Sequence, residues 1–336
     1  MIRYLLDRLL ALIPVLILVL VIIFSLSRLI PGDPAVTLLG PGATQEQITA
    51  LRAQLNLDEP APMQFYSYVS GLAHGDMGKS MKSGRPVLSE ILNRLPATIE
   101  LSVMATLLAI LLGIPVGVLS AIRANSMFDH FTRVASLIGV SMPAFLLALI
   151  LQLVFGIWLG WLPISGQVSP YIITDRVTGF AILDGLIAHD LEAAWDACLH
   201  LILPTVVLAA FLAATIGRFV RNSMLEVMSQ DFIRTARAKG LSGHAVIFRH
   251  GLRNSLLAAI TVIGLKCAEM LGGAILTETV FAWPGIGRYM FEAIKNRDYP
   301  VIQGTTLVFA VLFVLTSLLV DLLYGQLDPR IRKKMN

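Results

Sequence analysis

Lys266 and Glu269 stand three residues apart inside an otherwise uncharged run from Ser255 to Thr277. A lone charge deep in a lipid-embedded helix costs roughly 2.5 to 3.5 kcal/mol unless it meets a partner or water. At i,i+3 on one helix the two side chains reach each other, which gives a self-paired structural couple. Set along a substrate path, Glu269 can instead receive an ammonium and Lys266 a carboxylate, the two ends of a zwitterion. Residue types alone leave both readings open, and these two are the only charges expected deep within a crossing.

Catalysis has less to work with. The stretch Ala73-His-Gly-Asp-Met-Gly-Lys-Ser80 nearly spells the phosphate loop G-x-x-x-x-G-K-[ST], but its first glycine is replaced by Ala73 and no strand precedes it. Neither G-x-S-x-G nor H-E-x-x-H occurs. His74, His130, His189, His200, His244 and His250 are dispersed without metal-ligand spacing. No catalytic residue, metal or cofactor is expected in the chain itself. Cys198 and Cys267 lie in apolar stretches and read as small buried hydrophobes.

Of the 336 residues, 56% are hydrophobic and 14% charged, too little polar surface to coat a soluble globule or to keep a chain disordered. A bilayer core about 30 Å thick takes roughly 20 apolar residues of helix. Five uncharged runs meet that length: Leu9 to Ser27, Leu101 to Ile122, Val134 to Thr174 (polar after Leu162), Ala197 to Gly217, and Tyr299 to Val320. Ser255 to Thr277 makes a sixth. The expected fold is therefore an all-α, polytopic membrane protein with six transmembrane helices.

The bases sort between loops, which is why a net charge of +4 points to a bilayer and not to nucleic acid. Fifteen lie in the terminal segments and even-numbered loops, seven of them between Arg218 and Arg253, against ten in the longer opposite set. Both termini are expected in the cytoplasm. Small residues recur every four positions at Ala105, Ala109, Gly113, Gly117 and Ala121, again at Ala209, Ala213 and Gly217, and again at Gly264, Ala268 and Gly272. Such ridges let helix backbones approach in lipid. Four regions follow: a first transmembrane helix over 1–30, an extracytoplasmic loop subdomain over 31–96, a five-helix core over 97–325 with a cytoplasmic loop at 218–254, and a cytoplasmic tail over 326–336. In the subdomain, Thr44 and Gln47 make a capping box for an amphipathic helix through Ile48, Leu51 and Leu55. Asp321, near the inner end of the sixth crossing, is assigned to anchoring or hydrogen bonding at the interface.

Within the 218–254 loop, Asp231-Phe-Ile-Arg-Thr-Ala-Arg-Ala-Lys-Gly-Leu241 carries an acid at its start, bases in its last turns and Gly240 placed to end a helix. Ser242 can cap a second helix through Val246, Ile247 and Phe248. A helix-glycine-helix elbow results, with Ala236 and Ala238 leaving its backbone accessible beside Arg234, Arg237 and Lys239. A basic amphipathic turn lying on anionic headgroups uses the same residue types.

The stretch Arg221 to Ser242 resembles the coupling loop of ABC importer permeases of the dipeptide, oligopeptide and nickel class, with the family's Glu-Ala-Ala positions at Arg234, Thr235 and Ala236 and its glycine at Gly240. Further similar blocks are Ile30-Pro-Gly-Asp-Pro34, Gly75-Asp-Met-Gly78, Leu95-Pro-Ala-Thr-Ile-Glu-Leu101, Leu162-Pro-Ile-Ser-Gly166, Ile275 to Gly287, Arg297-Asp-Tyr-Pro-Val301 and Asp321 to Arg332. They span the chain in order, and the dipeptide branch is the most similar. One departure stands out: the class usually places a proline shortly after Leu-Arg-Asn, where Leu252-Arg-Asn-Ser-Leu-Leu-Ala258 has alanine, so the kink entering the fifth crossing is expected to be missing or moved.

The resemblance implies a type I importer bundle in a bacterial inner membrane, a homologous second permease subunit, two ABC ATPase subunits that bind the ATP and magnesium, and an extracytoplasmic solute-binding protein. It implies that Asp231, Arg234, Thr235, Ala236, Arg237, Gly240 and Leu241 couple the bundle to an ATPase groove, and that this chain is not an enzyme. Dipeptides or oligopeptides are the expected cargo, with nickel and glutathione as alternatives within the class. An ion-coupled secondary transporter is the competing class and would require its own coupling carboxylates and, commonly, repeat halves with broken helices. No repeat is present, and a channel lacks any filter-like motif.

Overall fold

The computed structural model describes residues 13–25, 34–40, 42–54, 57–173 and 175–327. Among these the regular structure is helical, with a single isolated bridge between Lys79 and Pro86. Helix α1 (Ile13–Ser25) is the described part of the first predicted crossing. Three short helices follow, α2 (Pro34–Leu39), α3 (Gln45–Gln54) and α4 (Ala61–Ala73). The capping box at α3 forms as its spacing predicts: Gln47 N–H donates to Thr44 Oγ1 at 3.3 Å and Thr44 N–H to Gln47 Oε1 at 3.0 Å. Ile48 and Leu51 are half-buried, and Leu55 lies outside the described residues.

Helix α5 (Val87–Ile122) and helix α9 (Leu191–Met228) are the long members of the bundle, at 36 and 38 residues. At 1.5 Å per residue each reaches about 55 Å, well beyond the hydrocarbon thickness, so both project from it. They pack against each other along the two small-residue ridges. A Cβ on Gly117 would sit 2.6 Å from the Gly217 carbonyl oxygen and 2.8 Å from Val220 Cβ, and one on Gly113 would meet Ile216 at 2.9 Å. Ala105, Ala109, Leu212, Ile216 and Val220 fill the core between them. Short side chains are needed here because dispersion between close backbones, not burial from water, holds helices together in lipid. The third ridge works on another pair: Gly264 faces Val320 of the last helix, while the side chain of Ala268 and the surroundings of Gly272 lie outside the described residues.

The third crossing departs from the sequence expectation of one run over Val134 to Thr174. Helix α6 (Met127–Ser141) and helix α7 (Ala144–Leu151), which continues as a π-helical turn to Trp158, meet at 104°. Pro143 supplies the reason. Its ring pushes Met142 into an extended conformation at φ −77° and ψ 125°, and it offers no N–H to continue the ladder. The described residues after Trp158 are irregular up to helix α8 (Ala181–Ile187).

Past α9 come α10 (Asp231–Ala238) and a single turn α11 (Gly243–Ala245), which passes through a π-helical turn at Val246–Leu252 directly into α12 (Arg253–Val280). The backbone at Ala258 is helical, and the irregularity on entering α12 is the π turn at Val246–Leu252. Helix α13 (Ile286–Asn296) and helix α14 (Tyr299–Leu327) are the last elements of the described residues.

The architecture is an all-helical polytopic bundle. Val87–Ile122, Leu191–Met228 and Tyr299–Val320 are each long and apolar enough to cross a membrane, and the bent α6–α7 pair is apolar enough only when its two helices are taken together, as a broken span or a re-entrant loop. α12, 28 residues and about 42 Å long, and α1 occupy the remaining predicted crossings. The region boundary drawn at 96/97 falls inside α5, whose first turns belong to the core: Val87 and Ile91 are fully buried against Ile286, Ala293 and Val301. Asp321 is helical in its backbone, and its side chain lies outside the described residues, as do 328–336 of the predicted tail.

Candidate functional site

Two places gather the side chains singled out by sequence, one at the end of α9 and one at the break between α6 and α7. At the first, α9 stops at Met228 and two residues later α10 begins, with Asp231 in its first turn. Ile233 (0% exposed) and Ala236 (6%) turn inward onto Val246 and Met228. Gly240 ends the unit at φ +76°, and a Cβ built there meets nothing within 4 Å. Its requirement is therefore torsional: L side chains avoid that region, and space is not limiting. Ser242 Oγ accepts the Ala245 N–H at 3.3 Å, the cap expected for the following turn.

The elbow thus forms as its sequence predicts, with one correction. Ala236 is packed inside the elbow and does not leave its backbone open to a partner; Ala238 is the small residue on the exposed face. That face also shows Asp231, Arg234, Thr235, Arg237, Lys239, Gly240 and Leu241. Arg234 and Asp231 pair at 3.5 Å, but at 79% and 94% exposure the pair adds little to stability. Phe232, 44% exposed at the edge of that face, went unnoticed in sequence. Its signal was an aromatic residue beside the buried pair Ile233 and Ala236, on a helix otherwise rich in charges.

The second place is a cleft of about 420 Å³ at the 104° break. Met142 and Pro143 of the break, Phe211 and Leu212 of α9, and Lys266, Glu269 and Met270 of α12 line it. Lys266 Nζ and Glu269 Oε2 are 2.5 Å apart, with side chains 32% and 55% exposed. The self-paired couple expected from the sequence forms, and both side chains also line the cleft. The pair satisfies itself and still faces the cavity.

Lys266 and Glu269 are not the only charges within the helical spans. Glu100 on α5 is 7% exposed, Glu278 on α12 is fully buried, and so is Asp129 on α6. Glu100 escaped notice because it bounds the uncharged run that begins at Leu101 and so read as lying outside the crossing. It accepts from Gln167 Nε2 at 3.0 Å and from the Ala181 and Ile182 N–H groups at 3.3 Å, which fixes the start of α8. Glu278 lies within the block Ile275 to Gly287. Thr98 Oγ1 donates to its Oε1 at 2.7 Å and the Arg288 N–H to its Oε2 at 2.9 Å, while Thr98 Oγ1 accepts the Ile286 N–H at 2.8 Å. Trp283, 1% exposed, adds an indole N–H bond to the Ala97 carbonyl at 2.9 Å. Gly285 and Gly287 lie against the carboxylate where a Cβ would intrude. This knot fastens α5, α12 and α13 together. The readable signal was one carboxylate closing an apolar run and followed by two closely spaced glycines.

The phosphate-loop lookalike also has a structural use. Gly78 takes φ +80°, and Ser80 Oγ donates to Asp298 Oδ2 at 2.6 Å, closing the turn onto the start of α14. Cys198 and Cys267 are free thiols and half-buried, less enclosed than expected. Among the described residues no three His, Cys, Asp or Glu side chains are grouped to hold a metal ion.

The comparisons with known proteins bear on the whole length. The model of the binding-protein-dependent transport system inner membrane component matches residues 113–333, and that of the N-terminal part of such membrane components matches residues 1–102. The dipeptide transport system permease protein DppB of Alkalihalophilus pseudofirmus is 47% identical over 99% of this chain and all of its own length. DppB of Escherichia coli is 45% identical with the same coverage, and the glutathione transport system permease protein GsiC of Salmonella paratyphi A is 40% identical over 99% of the chain and all of that protein. Among solved structures, the MetNI methionine ABC transporter in inward-facing conformations aligns with a TM-score of 0.52 at 17% identity, covering 69% of this chain and 93% of that one, which is a likeness of fold. The ion-coupled secondary transporter reading falls away, and a broken helix is evidently no mark of that class alone. With an all-helical bundle, a bent third span and full-length similarity in agreement, the chain belongs to the binding-protein-dependent transport system inner membrane components.

Proposed function

We propose that this chain is one of two similar transmembrane subunits of an ABC importer for dipeptides or oligopeptides, driven by ATP hydrolysis in separate subunits. The observation that carries the proposal is the elbow. Its apolar side is spent on its own core, through Ile233, Ala236 and Val246, so the exposed side is left to present Phe232, Arg234, Ala238 and Gly240 to another protein. A short helix offered this way suits a groove lined by apolar surface and acidic rims. Asp231, Thr235, Arg237 and Leu241 complete the contact, and Ala236 supports it from within. On this reading the elbow and both termini lie in the cytoplasm, with α2, α3, α4 and α13 toward a soluble binding protein on the other side.

Peptide as cargo draws support from the relatives named for dipeptide transport and from the cleft, where opposite charges 2.5 Å apart face a cavity of about 420 Å³. As a peptide enters, its ammonium and carboxylate replace each ion's partner in turn, so neither charge is left bare. Glutathione, itself a peptide, remains within this chemistry, whereas nickel would use only one half of the pair.

The test is competition in vesicles holding the assembled importer and its loaded binding protein. A labelled dipeptide should accumulate and be displaced by unlabelled dipeptides. Accumulation of nickel alone, with no peptide uptake, would remove the peptide assignment.

A further inference from the structure

The most densely bonded charge among the described residues is neither in the elbow nor in the cleft but between them. Asp129, in the first turn of α6, is fully buried. Arg221, about two turns before the end of α9 and 15% exposed, grips it as a fork: Nε donates to Oδ1 at 2.6 Å and Nη2 to Oδ2 at 2.7 Å. Ser120, near the end of α5, donates to Oδ1 at 2.5 Å, and the Asn125 N–H donates to Oδ2 at 2.9 Å from a left-handed residue at φ +63°. Arg133 stands 3.7 Å from Oδ2. One carboxylate thus ties three helices together at the end of the bundle where α9 leads into the elbow.

Stability alone gives a weak reason for such a pair, because apolar residues of similar volume often hold a core equally well or better. Position gives a stronger one. Downstream of Arg221, α9 runs unbroken to Met228 and reaches α10 after two residues. Upstream in space, α6 carries Asp129 at one end and the Ser141–Pro143 break, which lines the Lys266 and Glu269 cleft, at the other. The fifteen residues of α6 make an arm about 22 Å long between the two. A bidentate fork has one register. Sliding α9 past α6 would forfeit both bonds and strand a buried charge, so α6 follows α9.

We propose that the Asp129–Arg221 fork is the positioning contact through which displacement of the elbow reaches the break at Met142 and Pro143 and reshapes the cleft. The proposal rests on the elbow being the handle of an ATPase. Neither residue touches substrate; they act through α6.

Removing one partner leaves an unpaired buried charge and can simply prevent folding, so the informative variant removes both: Asp129→Asn together with Arg221→Gln in the full importer with its binding protein. Uptake and ATP hydrolysis are measured per copurified complex, beside wild type and Gly240→Trp. The fork predicts that the double variant assembles and hydrolyses ATP while uptake per ATP drops about tenfold, the size of a typical coupling between sites. Wild-type uptake per ATP in the double variant would overturn the fork, as would failure to assemble, which makes the pair a folding element only. Should the double variant couple normally while Gly240→Trp does not, the elbow stands without the fork. Should both couple normally, the elbow reading fails first.

Discussion

Gly240→Trp is expected to leave the chain inserted and the importer assembled, yet to lower uptake about a hundredfold while ATP hydrolysis continues. A side chain at φ +76° costs roughly 1 to 2 kcal/mol in backbone strain. That is too little to unfold a bundle, and the open space around the residue means that no packing is lost. What changes is the exposed face, where an indole now stands between Arg237 and Leu241 in the surface offered to the ATPase. Gly240→Asn separates the two effects, because asparagine accepts left-handed torsions and stays small; it should retain most uptake. Ala236→Trp has a different expected outcome. Ala236 is 6% exposed against Ile233 and Val246, so bulk there breaks the elbow itself and should reduce recovery of the assembled complex. Normal uptake by Gly240→Trp, measured beside ATP hydrolysis in the same vesicles, would take the elbow out of the mechanism.

The second large effect is expected in the cleft. Glu269→Gln keeps the size of the side chain and removes its charge, leaving Lys266 without the partner now 2.5 Å away. If the pair receives the two ends of a peptide, loss of one charge-assisted contact worth roughly 1.5 to 3 kcal/mol lowers maximal uptake of a free dipeptide at least tenfold. A peptide with a blocked amino terminus should lose far less, since it never used Glu269. Initial rates for the two peptides in wild type and variant make the comparison. Equal kinetics, with only a lower melting temperature for the variant, would assign the pair to structure alone.

Much of this was legible in the chain because local chemistry and tertiary structure asked for the same residues. The elbow is the clearest case: Gly240 ends a helix by torsion, Ser242 caps the next turn, and neither depends on what lies far away. The ridges were legible too, since Gly113, Gly117 and Gly217 recur at the spacing of one helix face whatever that face meets. What escaped depended on distant segments meeting. Nothing near Asp129 in the chain points to Arg221, ninety-two positions away, which closes on it. Glu278 and Thr98 are 180 positions apart. The bend at Pro143 was written in one residue, but an apolar composition that never faltered hid it, because hydropathy measures solvent preference and says nothing of direction. Ala236 went the other way: its small size suggested exposure, and only the position of Val246 shows that it points inward.

Solute accumulation by the purified chain in sealed vesicles, alone and then with its second permease, ATPase subunits and loaded binding protein, tests the central claim most directly. Concentrative uptake should occur only in the complete system, only with ATP, and should cease when the ATPases are left out. Accumulation against a gradient by this chain alone would contradict the account at its root.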